Sequence, residues 1–359
     1  MRVVITGATG NVGTSLIEVL ASEPAVTEIV GLARRRPRID LPKTRWVEAD
    51  VGCDHLTAHF EGAGAVVHLA WLIQPERDEA LLERSNVAGS ARVFAAAREA
   101  RVPILVHASS VGAYSPSPHD RRVDESWPTS GIATSLYSRQ KSAVERELDG
   151  FELAHPEVRV VRLRPALIFK RASASEQRRL FLGPLFPAWL SRPGRIPVVP
   201  APRGLSFQAV HSLDVAAAYH LALTRDVRGA FNVAGEPVID GGALATLLEA
   251  KTVEIAASLM RAAMTMAWRL HLEPASPGWL DMALTAPLLD TTRAREVLGW
   301  SPRHHATDVL LEVLHGLHDH AGFDTPPLLP DPPPRKRAAA LLGRRATRSA
   351  PIPPRHRAL

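Results

Sequence analysis

The chain has 359 residues, 46% hydrophobic and 22% charged, which suits one large or two modest globular domains with an ample core. A single cysteine, Cys53, excludes an internal disulfide and a thiolate metal cluster, and fits a reducing cytoplasm. The formal charge of +6 misleads, because Arg335, Lys336, Arg337, Arg344, Arg345, Arg348, Arg355 and Arg357 stand together with no acid among them; without them 35 bases face 37 acids. The folded body is thus near neutral, with no nucleic-acid surface expected. No basic leader and long apolar run precede the first residues, so no secretory signal is expected either.

Val3-Val4-Ile5 reads as a buried strand, followed at once by Gly7, Gly10 and Gly13 and by a helical pattern in Val12, Leu16, Val19 and Leu20. Strand, glycine turn and helix start come in the order a dinucleotide site needs. Gly7 makes the turn, Gly10 lets backbone approach a pyrophosphate, and Gly13 lets helix and strand pack closely. Thr9, Asn11 and Val12 complete that turn, and the phosphates sit on the unsatisfied N–H groups of the helix start. A second strand, Glu28 to Ala33, runs into Arg34, Arg35 and Arg36 with no acid at its end. An acid there grips ribose hydroxyls, whereas arginines accommodate a 2′-phosphate, so Arg34 and Arg35 favour NADP over NAD. A third strand ends at Asp50 and Val51, where an adenine amino group is read. Ala65 to Ala70 forms a fourth, placing Leu69 and Ala70 beside the cofactor.

Residues 76–100 read as one long helix, and Val102 to Ser110 as a fifth strand ending in hydroxyls. After a polar loop, 115–134, a helix opens with Ser135 as its N-cap. Val158 to Arg164 is a sixth strand, stopped by Pro165, and Phe231 to Gly235 is a short returning one. The expected fold is α/β, a Rossmann-type doubly wound parallel sheet with a smaller C-terminal substrate lobe. The dinucleotide domain spans 1–168 with returning segments near 206–235, and the lobe takes most of 169–320. An apolar helix over 254–272, interrupted by Arg261 and Arg269, is expected to be buried in that lobe, or else to make a membrane-surface or dimer contact, rather than to span a membrane. The Pro- and Arg-rich stretch 325–359 cannot build a core and is expected to be disordered.

Tyr137 and Lys141, four apart on a predicted helix, share one face. A nearby ammonium favours the phenolate, so Tyr137 can exchange a proton with a substrate hydroxyl while hydride moves to or from a nicotinamide. Ser110 holds the substrate oxygen in line. Arg171, Arg178, Arg179, Arg192 and Arg195 could bind a substrate phosphate or be ordinary surface arginines. No metal-ligating cluster is expected.

With these pieces in place the sequence resembles the extended short-chain dehydrogenase/reductases, the NAD-dependent epimerase/dehydratase group. The resemblance runs through Thr6 to Gly13, His68 to Ala70, Asn86 to Ser90, Ser109 to Tyr114, Tyr137 to Lys141, Arg164-Pro165, Val210 to Asp214 and Leu289 to Pro302. It implies Tyr137 as acid/base, Lys141 as its partner and a ribose ligand, Ser110 rather than Ser109 as the catalytic hydroxyl, and Asn86 beside the site. It also implies that Pro165 begins the backbone against the nicotinamide, and that His211 and Asp214 are structural. Many relatives dimerise through helices matching 76–100 and 135–149. The leading expectation is an NADP-dependent oxidoreductase of a small carbonyl or secondary alcohol. A nucleotide-sugar epimerase or dehydratase with tightly held NAD follows, and then a non-catalytic redox regulator.

Overall fold

The structure of the protein is a computed structural model, and it describes residues 1–331 apart from 75, 120, 184 and 185. Seven parallel strands form its centre: β1 (Arg2–Thr6), β2 (Glu28–Ala33), β3 (Thr44–Glu48), β4 (Ala65–His68), β5 (Ile104–Ala108), β6 (Arg159–Pro165) and β7 (Gly229–Val233). They lie in the order β7-β6-β5-β4-β1-β2-β3, with Val3 opposite both Ile29 and Ala65. The strand order reverses between β1 and β4, and such a switch point opens a crevice at the carboxyl ends of the strands.

Val3, Val4 and Ile5 are all fully buried because helices cover both faces of the sheet. On one face, helices Asn11–Ala21 and Ser212–Thr224 pack through Leu16, Ile17, Leu20, Val215 and Tyr219. On the other, Ala88–Glu99 and Leu136–Ala154 contribute Val93, Phe94, Val144 and Leu148. Ala294, Leu298 and Trp300, far along the chain, join the first of these cores rather than the lobe. Trp300 Nε1 donates to the Asp214 carbonyl at 2.7 Å, and Asp214 accepts from the amides of Arg303 and His304.

Three expectations change. The helix read over 76–100 starts later, at Glu79, where Asp78 accepts from the Leu81 amide at 2.9 Å. It then passes through a wide turn, Glu83–Val87, that buries Ser85 and Asn86 before Ala88–Glu99 continues. Such π-type turns gather at functional sites.

The stretch 254–272 is not one buried helix. Lys251–Ile255 is a strand paired with Val198–Pro202, and the helix that follows, Ala257–Arg269, has no buried residue. It lies across the outside of the lobe, held by Arg261 on Asp281 at 2.8 and 3.0 Å and by Arg77 on the Trp268 carbonyl.

The Pro-rich end does not lose structure at Thr325. Thr325 and Leu328 are fully buried, and Asp331 takes Arg178 at 2.5 Å and Arg179 at 2.9 Å. These ion pairs and the Leu328 side chain supply the anchoring that proline-rich composition lacks. The stretch 332–359, with its eight basic residues, lies outside the described residues. Among the described residues no helix is long and apolar enough to cross a membrane.

Candidate active site

The glycine turn lies at the carboxyl end of β1. Gly7 has φ of +70°, and a Cβ there would stand 2.7 Å from the Ala70 amide nitrogen, so both conformation and space demand glycine. A Cβ on Gly13 would lie 2.6 Å from the carbonyl oxygens of Gly7 and Ala8, which is how the helix seats on the turn. At Gly10 the nearest atom would be 3.4 Å away, so the space above it is open. No side chain caps helix Asn11–Ala21, leaving its first N–H groups for an anion.

A cleft of about 370 Å³ runs outward from this turn. Gly7, Thr9, Gly10, Arg34, Arg35, Asp50, Val51, Leu69, Ala70 and Asn86 line it. Glu176, Leu180, Pro326 and Pro327, which the sequence did not signal, form a further wall together with Arg179. Asn11, Val12, Gly13 and Pro165 are not among the lining residues, and neither are Ser110, Tyr137 and Lys141. The Asn11 amide donates to the Ile168 carbonyl at 3.1 Å, Val12 packs on the core, and Pro165 ends β6 opposite Val233. An open glycine turn, an uncapped helix start and flanking Arg34 and Arg35 are what a dinucleotide's phosphates require, so the residues present fit such a cofactor.

Helix Leu136–Ala154 starts under a Ser135 cap, whose Oγ accepts from the Ser138 amide at 3.3 Å. Tyr137, Lys141 and Glu145 follow at spacings of four and so share a face. The two strand-end serines divide. Ser109 Oγ donates to the Glu145 carboxylate, whereas Ser110 Oγ accepts from the Gly112 amide at 3.0 Å and hydrogen-bonds the Tyr137 hydroxyl.

Burial pushes the Tyr137 phenol up to about 12, and the Ser110 bond opposes that rise. Lys141 lies beside the phenol, its Nζ 5.8 Å from the Tyr137 ring centre. Its Nζ donates to the Ala108 carbonyl at 2.7 Å and sits 3.5 Å from the Trp71 ring centre. Burial pushes Lys141 down to about 7, with Glu145 acting the other way. An indole face holds a cation well. Tyr137 is thus poised as an uncharged phenol.

Aromatic side chains crowd this end: the Tyr137 ring lies 4.9 Å from Trp279 and 6.0 Å from Trp71, and Phe181 lies 4.9 Å from Trp279. The indole N–H groups of Trp71 and Trp279 are buried with no partner among the described residues. Trp71 precedes Leu72, whose amide and carbonyl are both bound at 2.8 Å by the Asn86 side chain. Asn86 also donates to Gln140 at 2.9 Å, so it ties the cleft wall to the Tyr137 helix.

Glu145 was absent from the sequence reading, although its i+8 spacing from Tyr137 was visible. It is fully buried, accepting from Arg164 at 2.8 and 2.9 Å and from Arg162 at 2.8 Å. Burial acts to raise its carboxyl, but Arg164, Arg162 and Ser109 overcome that and hold it at about 2. His68 is likewise structural, bridging Thr6 and Ser90 at 2.7 and 2.9 Å with burial pushing its ring down to about 3. His211 meets Glu312 at 3.2 Å away from the cleft. Of the five arginines considered for a substrate phosphate, Arg171 is taken by Asp319, and Arg178 and Arg179 by Asp331.

The sequence model of the NAD dependent epimerase/dehydratase family matches residues 3–234. The chain belongs to that family. An uncharacterised protein of Mycobacterium tuberculosis is 26% identical over 90% of this chain, which spans only 31% of that relative's length. An L-arabinose 1-dehydrogenase (NAD(P)(+)) of Haloferax volcanii is 39% identical over 30% of this chain and 41% of its own. Among solved structures, UDP-glucose 4-epimerase of Thermus thermophilus in complex with NAD superposes with a TM-score of 0.64 at 21% identity, covering 88% of this chain and 99% of its own. UDP-glucuronic acid 4-epimerase of Bacillus cereus in complex with NAD gives 0.65 at 15% identity, covering 89% and 99%. These likenesses establish the extended Rossmann architecture seen in the seven-stranded sheet.

Proposed function

We propose that this protein is an NAD(P)-dependent oxidoreductase that reduces a carbonyl, or oxidises the matching secondary alcohol, of a small to medium organic substrate. The observation that carries this reading is the Tyr137 hydroxyl bound to Ser110 at the end of β5, with Lys141 one turn along the same helix. The glycine turn and helix start would hold the cofactor's pyrophosphate, Asp50 and Val51 its adenine, and Lys141 a ribose hydroxyl. The cofactor supplies the hydride acceptor or donor.

The chain's own residues manage the proton and the substrate oxygen. Ser110 orients that oxygen by hydrogen bonding. Tyr137, uncharged at neutral pH and raised further by burial to about 12, gives its hydroxyl proton to a carbonyl oxygen becoming an alkoxide. That protonation state suits reduction. In oxidation Tyr137 would first have to lose its proton, which calls for Lys141 to leave the Trp71 face and approach the phenol. Asn86 keeps the cleft wall and the Tyr137 helix in register. Trp71, Trp279 and Phe181 exclude water from the proton-transfer atoms.

Arg34 and Arg35, exposed at the cleft with no acid at the end of β2, support NADP as the cofactor. Nucleotide-sugar epimerisation is the second reading, and the family supports it. The pairing of Arg171, Arg178 and Arg179 with acids weighs against a diphosphate-bearing substrate. A cytoplasmic enzyme is consistent with the single, exposed Cys53. A homodimer through Ala88–Glu99 and Leu136–Ala154 is supported by the groove of about 460 Å³ between them, bounded by Phe94, Arg98, Arg146 and Phe151.

The deciding experiment is to identify any nicotinamide retained after extensive dialysis and to titrate the emptied protein with NADPH and NADH. Tighter NADPH binding by a cofactor-free protein supports the reductase. Firmly retained NAD supports the epimerase, and binding of neither overturns both readings.

A further inference from the structure

Helix Ala257–Arg269 shows its apolar side to the outside. Leu259, Ala262, Ala263 and Met266 are exposed, and Leu270 just past its end continues the same row. These positions follow spacings of three and four, so they form one stripe along one face. Leu259 is 64% exposed, Met266 58% and Leu270 60%, although an ordinary surface helix turns such residues toward the core. The opposite side, through Met260, Met264, Ala267 and Trp268, is the half-buried one that rests on the lobe.

The charges within the helix itself have one sign, with Glu254 and Glu273 the nearest acids in sequence on either side. Between Ile255 and Leu272 there are Arg261, Arg269 and His271 but no acid. Arg261 is committed to Asp281, which leaves Arg269, three residues past Met266, on the margin of the stripe. Glu254, before the helix, is matched by Arg203 at 3.3 Å. The sequence beyond the described residues adds eight bases without an acid.

We propose that this helix docks the protein on an anionic lipid bilayer, lying in the interface with Leu259, Met266 and Leu270 among the acyl chains and Arg269 at the phosphates. A row of exposed apolar side chains bordered by cations is the pattern of an interfacial helix. A second copy of this chain is the competing occupant, since a two-fold contact would also cover the stripe, but Arg269 at the margin favours an anionic surface. The inference rests on the surface alone and stands apart from the activity proposed above.

The test is co-sedimentation of the full chain with vesicles of equal parts phosphatidylglycerol and phosphatidylcholine, and with phosphatidylcholine alone, at low salt. The expected result is binding to the anionic vesicles and little to the neutral ones. The double variant Leu259→Glu, Met266→Glu should cut the bound fraction roughly tenfold. Both sites are exposed, so its circular dichroism and melting temperature should match the unaltered chain. Three results would overturn the proposal. The full chain could stay in solution with both vesicles, or the double variant could bind undiminished. Light scattering could also show a dimer that the variant dissolves while vesicles bind neither form, which would assign the stripe to a second copy.

Discussion

Replacing Glu145 by Gln tests the buried charge cluster behind the candidate site. Its carboxylate lies between Arg162 and Arg164, whose side chains are 5% and 6% exposed. Arg162 keeps Asp149 and Glu152, whereas no other carboxylate among the described residues lies within ion-pair distance of Arg164. Lowering the carboxyl from 4.5 to about 2 corresponds to a stabilisation on the order of 3 kcal/mol at neutral pH. Removing one member of a buried pair costs about 3–5 kcal/mol, so the two routes agree.

The sign follows from the direction of the shift. A carboxyl depressed on folding stabilises above its unfolded value of 4.5, and that contribution fades as pH falls toward about 2. Urea unfolding of both proteins should therefore show a gap on the order of 3 kcal/mol at pH 7, shrinking to roughly 1 kcal/mol at pH 3. A gap below about 1 kcal/mol at pH 7, or one that does not change with pH, would refute the reasoning.

Tyr137→Phe should reduce turnover by roughly a thousandfold while dinucleotide affinity, measured by fluorescence titration, stays within about threefold. Turnover that persists would remove Tyr137 from the mechanism. Arg34→Glu with Arg35→Glu should weaken NADPH by roughly tenfold or more and leave NADH nearly unchanged, read as the ratio of the two dissociation constants. Lys141, pushed down by burial to about 7, favours the neutral form in the folded state, so its burial destabilises below pH 7 and less so as pH rises toward 10.5. Lys141→Met should therefore gain stability relative to the parent at pH 6 and lose that advantage by pH 10 in thermal melts. Gly7→Ala, forced into φ of +70° with its Cβ 2.7 Å from the Ala70 nitrogen, should cost on the order of 3 kcal/mol in urea unfolding.

The sheet was legible because buried parallel strands are continuous apolar runs, and glycine turns carry their own spacing. Val3 to Ile5 followed by Gly7, Gly10 and Gly13 needs no long-range information. Ser110 and Tyr137 were legible by position after a strand and at a helix start. What the sequence did not reveal depends on contacts between distant segments. Besides the Tyr137 ring, Lys141 meets the Ala108 carbonyl and an indole 70 residues away along the chain, Trp71, neither of which its spacing announces. The helix 257–269 has the composition of a buried element, and only the position of its neighbours exposes it. Residues 325–331 look like the start of an unstructured end by composition, yet Arg178 and Arg179 hold them through Asp331.

That last anchoring also reaches the glycine turn. Thr325 Oγ1 donates to the Thr9 carbonyl at 2.8 Å, across 316 residues of sequence. Pro326 and Pro327 then complete the cleft wall beside it. A chain shortened before Thr325 would keep its dinucleotide turn but lack one side of the cleft, so the cofactor cleft is closed by segments more than 300 residues apart.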